Sequence, residues 1–176
     1  MNSTTQLQKN QDAAVTIEPE QASIATETAF RPMAELKLTD TECLLRVLYV
    51  DDDDSFSKVS KRILEMEGKI KVETATSSNE AFENLKRSHY DVVISDYEIP
   101  GKNGLNFLEE LKKVAKSPPF ILFTRKEREE VAVKARKLGA FRYLNKYGDP
   151  EAVYSELTSC IQQAARPFCE VAQLSL

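Results

Sequence analysis

The stretch VVISDYEIPGKNG, residues 92–104, is the part of the sequence that decides the fold class. It opens with an apolar run, Val92-Val93-Ile94, and continuous apolar runs are typical of strands buried on both faces of a parallel sheet. The run stops at Ser95 and Asp96. Asp96 is therefore predicted to stand at the carboxyl end of a buried strand.

The same alternation is found on both sides of this stretch. Apolar runs that predict four more strands lie at 47–50, 70–75, 120–124 and 141–145. After each run, apolar residues recur three or four positions apart, which is the spacing of one helix face. The last of these helices is predicted to end before Pro167. Five strand-helix units in this order predict an α/β fold with a doubly wound parallel sheet covered by helices on both faces.

Composition sets the expected boundaries of the domain. Residues 1–42 are rich in Gln, Thr, Ser and Glu and lack sustained periodicity, which predicts a flexible N-terminal extension. The predicted domain covers 43–166, and 167–176 are expected to form a short C-terminal tail. Because so short a tail cannot hold a helix-turn-helix module, the expectation is a stand-alone domain without an output domain.

Several classes of protein are disfavoured by composition and charge. No apolar run approaches the roughly 20 residues of a membrane span, and the first residues do not resemble a signal peptide, so the expected location is the cytoplasm. The three cysteines show no CxxC spacing, which argues against a disulfide framework or a zinc site. Residues 46–176 hold 21 basic and 21 acidic residues, so binding of nucleic acid is not expected.

Polar side chains end four of the five predicted strands. Asp51 and Asp52 end the first, Asp96 the third and Thr124 the fourth, and Lys146 follows the fifth. The carboxyl ends of parallel strands share one edge of the sheet, where ligands bind at the switch point of the strand order. These side chains are therefore predicted to converge on one site.

The converging groups favour phosphoryl chemistry. Three carboxylates about 5 Å apart repel by about 3 kcal/mol per pair at an effective dielectric near 20. Mg²⁺, which binds oxygen ligands, offsets this repulsion, and the amine of Lys146 can balance further negative charge. The hydroxyl of Thr124 can donate to an incoming phosphoryl oxygen. A carboxylate nucleophile and a phosphoryl donor then need the other groups only for positioning and charge neutralisation.

Four segments resemble the receiver domain of two-component response regulators. They are 47–52 (VLYVDD), 93–104 (VISDYEIPGKNG), 123–124 (FT) and 143–146 (YLNK). The resemblance implies a flavodoxin-like (βα)5 fold with strand order 2-1-3-4-5. Residues 123–131 and 143–150 resemble, more narrowly, receivers from methanogenic archaea.

The resemblance also implies how the acidic residues divide their roles. Asp96 is expected to accept a phosphoryl group from a sensor histidine kinase. Asp52 and Asp96 are expected to bind Mg²⁺ directly together with the backbone carbonyl of Glu98, while Asp51 acts mostly through a bound water. The chain is then a signalling protein, and its only catalysis is its own phosphorylation and dephosphorylation.

A switch is implied by the same resemblance. Thr124 and Lys146 are expected to hold the phosphoryl group, and Tyr143 to turn inward when Thr124 moves. The surface of the fourth helix, fifth strand and fifth helix would then change and signal to an unidentified downstream protein. The expected state is a monomer or a phosphorylation-dependent dimer.

Two positions depart from the usual family pattern, and two more, Glu98 and Lys126, stand two residues after Asp96 and Thr124. Arg125 stands where a small residue is usual, and it either restricts access to the acceptor, swings out or attracts an anionic donor. Tyr147 replaces a proline that is usually in a cis peptide, so the bond before it is either trans or strained by about 3 kcal/mol. Glu98 and Lys126 are predicted to pair and partly shield the acyl phosphate, which lengthens its life.

Two other functions compete with this one. Asp51-Asp52-Asp53 resembles the nucleophile motif of haloacid-dehalogenase-like phosphatases, with Asp51 as the nucleophile. Against that function, the chain lacks a cap domain and a final acidic motif, and Asp96 stays unexplained. The other alternative is a receiver-like docking module whose site is inactive behind Arg125.

Overall fold

The computed structural model describes residues 44–126 and 128–173, with side chains described as far as Arg166. Strands and helices alternate through the whole described part of the chain. In chain order they are β1 (Leu45–Val50), α1 (Asp54–Glu65), β2 (Ile70–Ala75), α2 (Ser78–Arg87), β3 (Val92–Ser95), α3 (Gly104–Leu111), β4 (Phe120–Thr124), α4 (Glu129–Lys137), β5 (Arg142–Asn145) and α5 (Pro150–Gln173). The predicted extension, 1–42, lies outside the described residues.

The five strands form one parallel sheet in the order β2-β1-β3-β4-β5. This confirms the predicted doubly wound, flavodoxin-like fold. Val50 at the end of β1 is in register with Ser95 of β3, and Thr124 of β4 is in register with Asn145 of β5. The residues that follow these strand ends therefore come out at the same edge.

Each face of the sheet is covered by its own set of helices. Val47, Tyr49 and Ile94 belong to a core cluster shared with α1 and α5, while Leu48 and Val93 belong to one shared with α2, α3 and α4. Successive residues of a strand point to opposite faces. A strand with apolar neighbours on both faces must be apolar throughout, which is why the central strands have continuous apolar runs.

The first turns of two helices are held by side chains next to the predicted site. Asp53 caps α1, because its Oδ1 accepts from the N–H of Phe56 at 3.0 Å. Asn103 caps α3, with its Oδ1 accepting from the N–H groups of Leu105 and Asn106. Each cap satisfies backbone donors that the helix itself leaves unpaired. The caps therefore fix where the helices begin relative to the strand ends.

The last helix does not end where it was predicted to end. Helix α5 continues past Pro167 to Gln173, so the prediction of a helix end before the proline is wrong. Proline removes one backbone hydrogen bond, and a helix that is already several turns long can continue beyond that loss with a kink. Along residues 44–126 and 128–173, no helix is both long enough and apolar enough to cross a bilayer.

Candidate functional site

A buried ammonium group lies between two carboxylates at the carboxyl edge of the sheet. The Nζ of Lys146, just after β5, lies 2.6 Å from Asp51 Oδ2 and 2.5 Å from Asp96 Oδ2. The side chains of Lys146 and Asp51 are each 2% exposed, and that of Asp96 is 13% exposed. Taking three charges out of water is costly unless each is compensated. The ammonium is shared by the two carboxylates, so its removal would leave two largely buried negative charges without a countercharge.

Aromatic rings close the other sides of the ammonium group. Lys146 Nζ lies 4.7 Å from the centre of the Phe56 ring on α1 and 5.7 Å from that of Phe123 on β4. The ring of Tyr154 meets Phe123 edge-on, with centroids 6.3 Å apart. Ring faces attract cations, and they also keep water away. The electrostatic attraction between Lys146 and its carboxylates is therefore weakly screened.

Both oxygens of Asp51 are held by donors. Its Oδ1 accepts from the N–H of Asp53 at 3.1 Å, and its Oδ2 accepts from the hydroxyl of Tyr49 at 3.3 Å as well as from Lys146. Asp51 follows β1. The N–H of Asp51 donates to the carbonyl of Ala75, which continues the hydrogen bonding between β1 and β2. The orientation of this carboxylate is therefore fixed.

Asp96 faces an open cleft. Its Oδ1 accepts from the N–H of Tyr97 at 2.5 Å and, more weakly, from that of Glu98 at 3.4 Å, while its own N–H donates to the carbonyl of Val50. The cleft has a volume of about 350 Å³, and these residues line it: Asp51, Asp52, Asp53, Asp96, Glu98, Thr124, Arg125, Lys126 and Tyr147. All the predicted site residues except Lys146 and Tyr143 therefore line one cleft, and Lys146 lies in its floor.

A chain of hydrogen bonds leads from the floor of the cleft to Tyr143. The Oγ1 of the buried Thr124 accepts from the N–H of Lys126 at 3.1 Å. The carbonyl of the same Lys126 accepts from the hydroxyl of Tyr143, whose ring packs against the cluster under α2, α3 and α4. Backbone atoms of one residue therefore connect the two predicted switch residues.

The rim of the cleft consists of four charged side chains, those of Asp52, Glu98, Arg125 and Lys126. The predicted ion pair between Lys126 and Glu98 is present, and Lys126 Nζ also lies 5.7 Å from the centre of the Tyr97 ring. This ion pair therefore links the loop after β3 to the loop after β4 across the top of the cleft.

Arg125 points away from the acceptor, toward the start of α1. Swinging out is one of the three possibilities predicted for this residue. Its guanidinium lies 5.0 Å from the centre of the Phe56 ring and 3.5 Å from Asp53 Oδ2. The N–H of Phe56 and, to a smaller extent, the Arg125 guanidinium lower the pKa of the Asp53 carboxyl. Arg125 therefore stabilises the helix cap.

The carboxylates beside the cleft fit a Mg²⁺ ion that keeps most of its waters. Asp51, Asp52 and Asp96 all line the cleft, and Asp52 is exposed. Within the described part of the chain, no three His, Cys, Asp or Glu side chains lie close enough to enclose a metal by themselves. Mg²⁺ needs only one or two carboxylates beside waters, so this donor set suits it.

Two site residues were missed by sequence reasoning, Phe56 and Tyr49. Phe56 was predicted as an ordinary apolar residue of a helix, but its ring covers the ammonium of Lys146. Tyr49 was predicted only as part of an apolar strand. A tyrosine in such a strand needs a partner for its hydroxyl, and this requirement is the signal that could have marked Tyr49 as a residue near the polar strand ends.

Comparison with known proteins gives the same assignment as the geometry. The Response regulator receiver domain family matches residues 47–158. The chain is 34% identical over 119 residues to the transcriptional regulatory protein GlrR of Escherichia coli K12, covering 68% of this chain and 27% of GlrR. It is 33% identical over 124 residues to the protein-glutamate methylesterase/protein-glutamine glutaminase of Rhizobium etli, covering 69% and 36%. The chain thus spans well under half the length of these two relatives.

Solved receiver structures are matched over nearly their whole length. The receiver domain protein of Clostridium thermocellum superimposes with a TM-score of 0.65 at 30% identity, covering 73% of this chain and 99% of that one. The CheY-like receiver of Methanospirillum hungatei JF-1 gives 0.62 at 26% identity, covering 70% and 98%. The narrower resemblance to receivers of methanogenic archaea stays a prediction. The chain belongs to the receiver domain family of two-component response regulators.

Proposed function

We propose that this chain is the phosphoacceptor of a two-component phosphorelay in the cytoplasm, and that Asp96 takes a phosphoryl group from a sensor histidine kinase. The observation that carries the proposal is the ammonium of Lys146, buried between Asp51 and Asp96. A buried lysine that contacts the acceptor can neutralise the charge that a phosphoryl group brings. Asp96 is the more exposed of the two carboxylates and faces the cleft.

The reaction needs little beyond positioning. A carboxylate oxygen of Asp96 attacks phosphorus, the bond from phosphorus to the donor histidine nitrogen breaks, and that nitrogen keeps the electron pair. The backbone N–H groups of Tyr97 and Glu98 hold one oxygen of Asp96, which orients the carboxylate. Held directly by Asp52, Asp96 and the backbone carbonyl of Glu98, and by Asp51 through a bound water, Mg²⁺ would supply charge neutralisation at the phosphoryl oxygens.

The signal leaves the site through Thr124. Its oxygen accepts from the N–H of Lys126, and among the described residues its hydroxyl proton bonds no acceptor, so that proton can bond a phosphoryl oxygen. Movement of Thr124 toward the phosphoryl group displaces Lys126, whose carbonyl holds the hydroxyl of Tyr143. The surface of α4, β5 and α5 then changes, and a downstream protein or a second copy of the chain reads that change.

The phosphatase alternative is disfavoured by the position of Asp51. A nucleophile must reach its substrate, but the side chain of Asp51 is only 2% exposed, against 13% for that of Asp96. The docking-module alternative needs Arg125 over the acceptor, and Arg125 lies instead over Phe56. Both observations favour Asp96 as a working phosphoacceptor.

Asp96→Asn is expected to abolish phosphorylation, because an amide oxygen is too weak a nucleophile. The protein is incubated with Mg²⁺ and acetyl phosphate, and the added phosphoryl group is detected by intact mass and mapped by peptide mass spectrometry. Asp54→Asn is the matched control, since Asp54 is an exposed acid of α1 that pairs with Lys58. It should be labelled like the wild type.

Each of the other outcomes assigns a different function. Label on Asp51 that turns over rapidly would support the phosphatase. No label, together with no binding of beryllofluoride, would support the docking module. Either result would contradict the proposal for Asp96.

Lys126→Ala is expected to shorten the life of the acyl phosphate about threefold, which corresponds to roughly 0.7 kcal/mol in the barrier. The ion pair with Glu98 spans the top of the cleft, so its loss opens a path for water. The measurement is the decay of label after the donor is removed. Lys102→Ala is the control, because Lys102 pairs with Glu110 and is 39% exposed against 32% for Lys126. Equal rates of label decay in the two variants would contradict the shielding role.

A further inference from the structure

Three buried hydroxyl groups lead from helix α5 to the carboxylate of Asp51. The hydroxyl of Tyr154 on α5 lies 2.7 Å from that of Ser60 on α1. The Ser60 hydroxyl also acts on that of Tyr49 on β1, whose pKa it lowers against the larger, opposite effect of burial. Tyr49 in turn donates to Asp51 Oδ2 at 3.3 Å. These hydroxyl groups therefore connect α5, α1 and β1 to the site.

The direction of these hydrogen bonds follows from the carboxylate at one end. An ionised carboxylate only accepts, so the single hydroxyl proton of Tyr49 is directed at Asp51. The Tyr49 oxygen can then accept from Ser60, and the Ser60 oxygen from Tyr154. Burial raises the pKa of both tyrosines, with the Ser60 hydroxyl opposing part of that shift. Both therefore keep the protons that this arrangement uses.

Tyr49 holds Asp51 in a way that Lys146 cannot. Lys146 bonds both Asp51 and Asp96, so its position depends on what Asp96 carries. The hydroxyl of Tyr49, by contrast, donates to Asp51 and not to Asp96, from the strand that Asp51 follows. Groups that orient a metal-binding carboxylate from behind typically change metal affinity 10- to 100-fold when they are lost.

Helix α1 carries a second buried serine that makes the comparison clean. Ser57 lies nearly one turn before Ser60 and is also buried, but its hydroxyl has no hydrogen-bond partner in the described part of the chain. A buried hydroxyl is costly unless it is bonded. Ser60 differs from Ser57 because its hydroxyl is hydrogen-bonded to that of Tyr154 and lies beside Tyr49.

We propose that Tyr49 is a positioning residue for Mg²⁺ binding, which acts through Asp51 and is itself held by Ser60 and Tyr154. This inference rests on the proposed function, because it deepens the role of the same site. Its consequence is that affinity for Mg²⁺ depends on how α1 and α5 pack on the sheet. A change in how α1 and α5 pack on the sheet therefore alters how readily Asp96 is phosphorylated.

The test is the affinity for Mg²⁺ alone, measured from the rise in unfolding temperature as Mg²⁺ is added. Tyr49→Phe is expected to weaken binding about tenfold. Ser60→Ala is expected to weaken it about threefold, because Tyr49 keeps its hydroxyl but loses its support. Ser57→Ala should bind Mg²⁺ like the wild type. In labelling with acetyl phosphate, Tyr49→Phe should need more Mg²⁺ for half-maximal rate, while the rate at saturating Mg²⁺ changes much less.

Two results would overturn the inference. One is wild-type affinity for Mg²⁺ in Tyr49→Phe; the other is equal weakening in Ser57→Ala and Ser60→Ala, which would indicate a general effect of core packing. If Tyr49→Phe does not fold, the two serine variants decide. Failure of the wild type to be labelled on Asp96 would instead overturn the proposed function, and the unfolding experiment separates the two cases.

Discussion

Lys146→Met is expected to lower the free energy of unfolding by about 3–5 kcal/mol at neutral pH, as is usual when one partner of a buried ion pair is removed. Methionine fills nearly the same space and packs well against Phe56 and Phe123. The carboxylates of Asp51 and Asp96, which are largely buried, are left without a countercharge. The loss therefore reports charge and not volume.

Urea unfolding at neutral pH measures this effect. Lys58→Met is the control, since Lys58 pairs with Asp54 at 2.6 Å on the surface, and it should change stability by less than about 1 kcal/mol. Similar losses in both variants would mean that the buried ammonium contributes nothing special.

Gly104→Ala is the second substitution with a large expected effect. A Cβ at this position would lie 2.3 Å from the carbonyl oxygen of Asp96, 2.9 Å from Leu122 Cδ1 and 3.1 Å from Tyr97 Cα. The leucine end can move, but the backbone of Asp96 and Tyr97 is tied to the sheet and to the N–H of Gly104. The expected loss is about 3 kcal/mol of unfolding free energy.

The measurement is again urea unfolding, with Gly68→Ala as the control. A Cβ on Gly68 would meet nothing within 4 Å, so that variant loses only what the left-handed backbone at φ +71° costs an alanine, about 1–2 kcal/mol. Because the atom displaced in Gly104→Ala is the carbonyl of Asp96, labelling with acetyl phosphate should also slow. Equal stability of the two variants would show that the loop after β3 yields easily.

Much of the fold and of the site could be predicted because both depend on strand ends. Buried parallel strands must be apolar on both faces, so they are visible as continuous runs in the sequence. The residues that follow them, such as Asp51, Asp96 and Lys146, come to one edge whatever the detailed packing is. The order of the strands, by contrast, came from family resemblance.

Contacts between side chains of distant elements could not be predicted in this way. Ser60 and Tyr154 are 94 positions apart, and their hydrogen bond depends on how two helices pack on one sheet face. The ring of Phe56 over Lys146 depends in the same way on where α1 begins. The predicted end of α5 was wrong for another reason. Proline disrupts the hydrogen bonding of a helix only locally, and a long helix can continue past it.

The cleft has a buried floor, formed by Asp51, Thr124 and Lys146, and an exposed, charged rim. Exposed substitutions usually change stability by no more than about 0.5 kcal/mol, whereas changes in a buried charged site cost several times that. On the proposed shielding role of Glu98 and Lys126, timing and folding are determined at different depths of the same site. The duration of the signal could then be changed at a rim position such as Glu98 without endangering the domain.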